Sequence, residues 1–158
     1  MRLPGDIVDA ATRSRIMSGI KGKNTKPELV IRRGLHALGF RYRLHDYRLP
    51  GKPDLVLLRW RAVIQIHGCF WHGHACPLFR WPQTRQEFWR AKIGRNVERD
   101  REVDVALDRA GWRVLTVWEC ALKGPGRIGA EAAVTRVAEW LRSDESTGEV
   151  RGTDGASR

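Results

Sequence analysis

The sequence predicts an α/β domain in which a central mixed sheet lies between layers of helices. Short apolar or alternating runs of strand length are interspersed with longer runs of helical period, which is the pattern of a layered α/β fold. A chain of 158 residues is long enough to bury one core without disulfides. Charges interrupt every apolar run and the first residues lack an apolar leader, so we expect neither a membrane span nor a secretory signal.

Caps and breakers mark the predicted elements. Capping boxes at Thr25–Glu28 and Thr84–Glu87 mark two helix starts, Gly39 and Gly111 mark the stops, and Gly94 is a point where the second helix could kink. In chain order the predicted elements are a short helix around 16–20, a helix over 25–38, strands over 40–44, 54–58 and 62–67, a helix over 84–110, a strand over 112–118 and a helix through 134–141.

Charge is spread unevenly between the body of the chain and its end. Residues 1–142 are predicted to form a single domain, and 143–158, which have no apolar pattern, a disordered tail. The net charge is +11, and since the tail holds four acidic and two basic residues, 1–142 carry the whole surplus. Such a surplus attracts polyanions, and seven tryptophans among many arginines favour a nucleic-acid partner.

The segment His67–Cys76 holds three of the five histidines and two of the three cysteines. Imidazole and thiolate are zinc ligands, and an odd cysteine count favours metal over a disulfide framework in a reducing compartment such as the cytoplasm. Three buried, reduced thiols are the competing interpretation. The predicted ligands of one structural Zn²⁺, which would staple this loop, are Cys69, His74, Cys76 and Cys120. His72 is the alternative histidine ligand.

A second group of polar residues is expected at one sheet edge. Asp54 follows Pro53 at the start of one predicted strand, and His67 ends the next. Alternation along that strand puts Val63, Gln65 and His67 on a common face. A carboxylate, an amide and an imidazole gathered there resemble the metal site of PD-(D/E)XK nucleases, with histidine in place of the usual lysine.

Several separated motifs resemble one nuclease family. They are the segments Ala10–Met17, Pro50–Asp54, His67–His72, Glu87–Asp100 and Val117–Cys120. In this order they are similar to the very-short-patch repair (Vsr) endonucleases, and the resemblance runs from about residue 10 to about residue 141. It implies a restriction-endonuclease-like fold and a Mg²⁺-dependent nick in one strand, 5′ to the thymine of a T:G mismatch. Such mismatches arise when 5-methylcytosine deaminates.

The resemblance also implies catalytic roles, carried over by position. Asp54 and the backbone carbonyl of Ile66 would bind the catalytic Mg²⁺, as two ions. Ile66 replaces the family's usual hydroxyl residue, which a backbone ligand tolerates. His72 would be the general base that activates water, oriented by Asp100.

His67 and Glu28 would complete the catalytic set through water-mediated or proton-shuttling contacts. Two alternatives stay open, because Glu28 occupies N3 of a capping box and Asp100 lies in a charged helical run where solvated ion pairs are common. His36 and His45 match no motif and are expected at the surface.

DNA contacts follow from the same resemblance. It implies that three aromatic side chains intercalate from the major-groove side, that a methionine enters the minor groove, and that a lysine and an asparagine contact the mismatch. These residues are Phe70, Trp71, Trp89, Met17, Lys92 and Asn96. On an unbroken helix Trp89, Asn96 and Asp100 share one face, although ordinary core is a rival interpretation for the tryptophan. Unstacking is less costly at a mismatched step, which gives a physical source of selectivity.

The sequence therefore predicts a mismatch-specific DNA nicking endonuclease. Its partners would be double-stranded DNA containing a T:G mismatch and mismatch-repair proteins, and it would act as a monomer on bacterial nucleoid DNA. One alternative is a restriction-type PD-(D/E)XK endonuclease that cuts matched duplex. Another is a zinc DNA-binding module without catalysis.

Overall fold

A computed structural model describes residues 24–154. Its elements are α1 (Lys26–Ala37), β1 (Arg43–Leu44), β2 (Leu55–Leu57), β3 (Ala62–His67), α2 (Gln86–Arg109), β4 (Arg113–Trp118), α3 (Ala130–Arg142) and β5 (Thr147–Val150), with 3₁₀ turns at Leu58–Trp60 and Glu119–Ala121. The predicted short helix around residues 16–20, including Met17, lies outside the described residues. No helix among those described is long and apolar enough to cross a membrane.

The five strands form one mixed sheet in the order β1-β2-β3-β4-β5. The pairs β1–β2 and β2–β3 are antiparallel, while β3–β4 and β4–β5 are parallel. Each parallel pair is joined through a helix, since α2 connects β3 to β4 and α3 connects β4 to β5. The predicted α/β class with a mixed sheet is confirmed.

The sheet buries both faces, and alternation along β3 divides its side chains between two cores. Ile64 packs in the larger core with Ile31 of α1 and Val137 of α3. Val63 points the other way, into a smaller core with Leu107 of α2. Gln65 and His67 follow Val63 on that face. They are therefore directed towards α2, as the alternation predicted.

The two predicted capping boxes have different outcomes. Thr25 caps α1, its Oγ1 accepting the Glu28 N–H at 3.4 Å. The second box is wrong, because α2 begins only at Gln86, after Arg85 in a left-handed conformation (φ 53°) and without any side-chain cap bond. Helix α2 then runs through Gly94 without a break, so the face that carries the predicted site residues is continuous.

The predicted disorder of the tail is wrong for residues 143–154. Segment Thr147–Val150 pairs with β4 as a parallel edge strand, and Val150 is buried. The Arg113 guanidinium donates to the carbonyls of Trp140 and Ser143, and the Trp140 indole donates to the Thr147 carbonyl at 3.1 Å. Backbone pairing and these contacts hold a segment that has almost no apolar pattern of its own. Residues 155–158 are not described.

Candidate active site

A cleft of about 790 Å³ opens at the edge of the sheet where β2 starts and β3 ends. It is lined by all five residues predicted to be catalytic: Glu28, Asp54, His67, His72 and Asp100. They come from α1, the start of β2, the end of β3, the following loop and α2. The fold thus brings together side chains that are up to 72 positions apart in the sequence.

Asp54 occupies the floor of this cleft. Its Oδ2 accepts the Ile66 N–H at 2.7 Å, which fixes the carboxylate against β3. Burial, helped by the nearby Glu28 carboxylate, raises the pKa of Asp54 to about 6 despite that hydrogen bond. Among the described residues Asp54 forms no ion pair, so its negative charge is poorly compensated by protein groups alone.

His72 and Asp100 form a close pair, with Nδ1 of the ring 2.6 Å from Oδ2 of the carboxylate. An ionised carboxylate only accepts hydrogen bonds, so Nδ1 carries the hydrogen and Nε2 keeps a free lone pair. The His67 ring stacks flat on that of His72, with centroids 3.8 Å apart. Burial and the neighbouring His72 lower the pKa of His67 to about 3, so the ring is neutral near pH 7.

Glu28 both caps α1 and faces the cleft. Its Oε1 accepts the Asn24 N–H at 3.2 Å, and Oε2 accepts from Arg32 at 2.9 Å. The side chain is only 2% exposed. The expectation that His45 lies at the surface is wrong, because its Nε2 is buried 2.8 Å from Glu28 Oε2. No sequence motif signalled this histidine.

The four predicted zinc ligands form a compact cluster, with one ligand atom from each within 4.8 Å of the others. His74 Nδ1 lies 3.5 Å from Cys69 Sγ and 3.7 Å from Cys120 Sγ, and the His74 ring stacks on Trp118 at 3.9 Å. The fourth ligand is Cys76. The alternative ligand His72 belongs instead to the neighbouring cleft.

Burial raises the pKa of the Cys69 and Cys120 thiols and lowers that of His74, so without a cation burial favours the uncharged form of these three groups. A bound dication reverses that preference for the thiols, because the ligand to a metal is the thiolate. Four N and S donors without an acidic oxygen are the set that structural zinc sites use.

Sequence reasoning missed the contribution of the C-terminal segment to this cluster. The Gly152 N–H donates to Cys120 Sγ at 3.3 Å, and the Arg151 guanidinium donates to the Ala75 carbonyl at 3.1 Å. A Cβ on Gly152 would lie only 2.2 Å from the Cys120 carbonyl oxygen, so glycine is required by this close approach. The backbone after β5 therefore covers the cluster.

The three aromatic residues that were predicted to intercalate form one group of touching rings. Phe70, Trp71 and Trp89 have centroid separations between 5.2 and 5.8 Å, and all three are half-buried. Phe79 also stacks on Phe70, with ring centroids 5.9 Å apart. The group is thus partly packed and partly accessible beside the cleft.

Lys92 and Asn96 both line the cleft, as do the cations Arg99 and Lys123. The Asn96 amide donates to the Trp71 carbonyl at 2.9 Å, so one of its functions is to attach the 67–76 loop to α2. Basic side chains around a cleft that holds carboxylates and imidazoles suit a phosphodiester substrate.

Together these features define the class of protein. A mixed sheet whose edge presents an aspartate, a buried glutamate and a histidine–aspartate pair inside a basic cleft is a restriction-endonuclease-like nuclease domain.

The comparisons with known proteins identify the family. The family model described as DNA mismatch endonuclease Vsr matches residues 5–78. The chain is 46% identical over 145 residues to DNA mismatch endonuclease Vsr of Escherichia coli (strain K12), covering 92% of this chain and 93% of that protein. This protein belongs to the Vsr family of DNA mismatch endonucleases.

Other relatives are named for single-strand cleavage. The type II nicking enzyme V.XorIIP of Xanthomonas oryzae pv. oryzae is 42% identical over 79% of this chain and 92% of its own length. The type II nicking enzyme V.NmeAIP of Neisseria meningitidis is 46% identical over 75% of this chain and 84% of its own length.

Proposed function

We propose that this protein nicks one strand of duplex DNA 5′ to the thymine of a T:G mismatch, by Mg²⁺-dependent hydrolysis of the phosphodiester. The observation that carries the proposal is the meeting of the Asp54 carboxylate with the His72–Asp100 pair in one basic cleft. Family membership supports this substrate, because the Escherichia coli relative, which aligns with 92% of the chain, is named a mismatch endonuclease.

Asp54 and the Ile66 carbonyl would hold the catalytic Mg²⁺. The donor set fits such an ion, since buried carboxylate oxygens are hard ligands and Asp54 has no ion-pair partner among the described residues. When bound, divalent cations would supply charge stabilisation to the scissile phosphate and its leaving oxygen. The Ile66 N–H that donates to Asp54 keeps these two residues in register.

His72 would take the proton from the attacking water at Nε2. The Asp100 carboxylate orients the ring through Nδ1 and stabilises the imidazolium as it forms. His67 stays neutral against the His72 ring face, which avoids stacking two cations. Glu28 would help to order water at the other side of Asp54, in addition to capping α1.

Mismatch selectivity would arise beside the cleft. The accessible edges of Phe70, Trp71 and Trp89 can insert at a base step, with Met17 acting from the minor groove. The unstacking this requires costs a few kcal/mol, and less where the pair is mismatched. Lys92 and Asn96 would contact the T:G pair or its neighbours, while the surrounding cations bind phosphates.

The cysteine cluster would hold one structural Zn²⁺ that fixes the 67–76 loop to the end of β4. Cys69 and His74 come from that loop and Cys120 from the turn after β4, so one ion cross-links the segment that carries His72. The protein would act as a monomer on nucleoid DNA in the bacterial cytoplasm, with mismatch-repair proteins as further partners.

The test is an incision assay on end-labelled duplexes that differ only in one pair, T:G or T:A. We expect a single nick in the thymine strand of the T:G duplex with Mg²⁺, and none in the complementary strand. Brief chelation with EDTA should stop it, and excess Mg²⁺ should restore it. Equal cleavage of the T:A duplex would favour the restriction-type alternative, and DNA binding without incision under all conditions would favour a non-catalytic zinc module.

A further inference from the structure

One cluster of potential metal ligands at the cleft includes a residue that plays no part in the proposed mechanism. Glu28, His45 and Asp54 each offer one ligand atom, and these atoms lie within 4.8 Å of one another. We refer to this group as the Glu28–His45–Asp54 cluster. Unlike the cysteine cluster it combines two carboxylates with one imidazole.

Hydrogen bonds and one unusual backbone conformation fix this geometry. The His45 N–H donates to the Asp54 carbonyl at 3.1 Å, which extends the β1–β2 pairing by one residue. His45 also adopts a left-handed conformation (φ 48°), which is uncommon for a residue with a Cβ. Glu28 is held in the first turn of α1 by its bond to Asn24, and Asp54 by its bond to Ile66. Contacts within the protein thus position all three side chains of the cluster.

Pairing with Glu28 does not by itself explain why the Nε2 atom of His45 is buried here. Its Nε2 is buried and lies 2.8 Å from Glu28 Oε2, yet it makes no hydrogen bond of acceptable geometry within the described part of the chain. Glu28 already has Arg32 as its cationic partner at 2.9 Å. A buried ring nitrogen without a hydrogen bond, beside two carboxylates, is the arrangement expected of a ligand whose partner is a metal ion.

We propose that His45 is a protein ligand of the divalent cation that Asp54 binds, and that its imidazole shifts the preference of this site from Mg²⁺ towards Mn²⁺ and other first-row transition ions. The proposal rests on the proposed function, since the cation is the one that serves hydrolysis. Mg²⁺ takes oxygen ligands and retains its waters, whereas imidazole suits transition ions. A site built only from Asp54 and a backbone carbonyl would not prefer transition ions over Mg²⁺ in this way.

The test measures metal binding without DNA, on protein first loaded with one equivalent of zinc so that the cysteines are filled. Mn²⁺ is titrated and followed by electron paramagnetic resonance, and nitrogen coupling to bound Mn²⁺ is recorded by electron spin echo envelope modulation. Mg²⁺ affinity is measured by competition. The variants are His45→Gln, which keeps a hydrogen-bond donor next to Glu28, and His36→Gln, a matched control at an exposed position on α1.

Wild-type protein should show a nitrogen coupling and should bind Mn²⁺ at least ten times more tightly than Mg²⁺. His45→Gln should lose the coupling and weaken Mn²⁺ binding by about tenfold or more, while Mg²⁺ affinity changes by less than about threefold. His36→Gln should match the wild type. The proposal is overturned if wild-type protein shows no nitrogen coupling, if the coupling survives in His45→Gln, or if both cations weaken equally. Failure of T:G nicking would leave these measurements intact and would count only against the proposed function.

Discussion

The two candidate metal-binding regions of this protein lie side by side and are built on opposite principles. The cysteine cluster offers soft thiol ligands, is covered by the backbone at Gly152, and with a bound ion would cross-link a loop to the end of β4. The cleft combines hard carboxylate oxygens with softer imidazole nitrogens and is open enough to admit a phosphodiester. Closed sites stabilise a fold, and open sites leave room for water and substrate. His74 and His72, only two residues apart, fall on different sides of this division.

The Asp54→Asn variant is the strongest test of whether the cleft and the cysteine cluster function independently. Removing the metal-binding charge should lower the rate of T:G nicking by roughly ten-thousandfold, because several kcal/mol of transition-state stabilisation are lost. The zinc content should stay at one per chain. Nicking rates under single turnover and elemental analysis measure the two regions separately. Loss of zinc together with activity would show that the regions are not independent.

His72→Ala should lower nicking by about a thousandfold, within the range for loss of a general base. Asp100→Asn removes only the group that orients His72, so its effect should be smaller, about tenfold to a hundredfold. Zinc content should be unchanged in both variants. A His72→Ala variant that loses zinc would restore the alternative in which this histidine binds zinc.

The Cys76→Ala variant tests the metal binding proposed for the cysteine cluster. This ligand is half-buried, so its truncation leaves less of a cavity than loss of a buried cysteine would. We expect loss of stoichiometric zinc and a destabilisation of about 2–5 kcal/mol, or on the order of 10 °C in Tm, because metal binding is coupled to folding. The folded fraction should still nick T:G at low temperature. Full zinc retention would exclude the four-ligand assignment.

The pKa of Asp54 gives a pH-dependent prediction. A carboxyl pKa raised from 3.8 to about 6 means that the fold disfavours the ionised form, a cost fully present above pH 6 and absent below pH 3.8. Without added Mg²⁺, Asp54→Asn should therefore be more stable than wild type at pH 8, on the order of 2–3 kcal/mol. The difference should shrink as pH falls from 6 towards 4. Thermal unfolding across this range measures it, and a difference that is constant with pH would contradict the burial argument.

The smallest expected effect comes from changing Gly152, whose backbone covers the cysteine cluster. Gly152→Ala places a Cβ against the Cys120 and Gly126 carbonyl oxygens, at 2.2 and 2.6 Å, so backbone must move. We expect a loss of about 1–3 kcal/mol and roughly tenfold weaker zinc retention against a chelator. Gly94→Ala is the matched control, since nothing lies within 4 Å of its added Cβ and alanine favours helix by about 0.5–1 kcal/mol. Equal behaviour of the two variants would remove Gly152 from the zinc site.

The sequence by itself determined the elements with strong side-chain patterns and the residue types of both sites. The run Ala62–His67 was predicted to its ends, because alternation and burial repeat along one strand. Cys69, His74, Cys76 and Cys120 were all predicted as ligands from their chemistry and their number, although no spacing rule required Cys120 to lie beside the other three. Recognition of the family motifs then assigned roles that composition alone would not have supplied.

Only the tertiary structure decided three features: the position of His45, the ordered structure of residues 143–154, and the backbone segment at Gly152 that covers the cysteine cluster. His45 enters the cleft region because β1 pairs with β2, a contact that leaves no mark in local periodicity. Strand Thr147–Val150 and the Gly152 N–H act through backbone hydrogen bonds, which most residue types can form and which therefore leave little side-chain pattern in the sequence. Periodicity reports where a side chain points along one segment, whereas these features depend on which distant segment lies opposite.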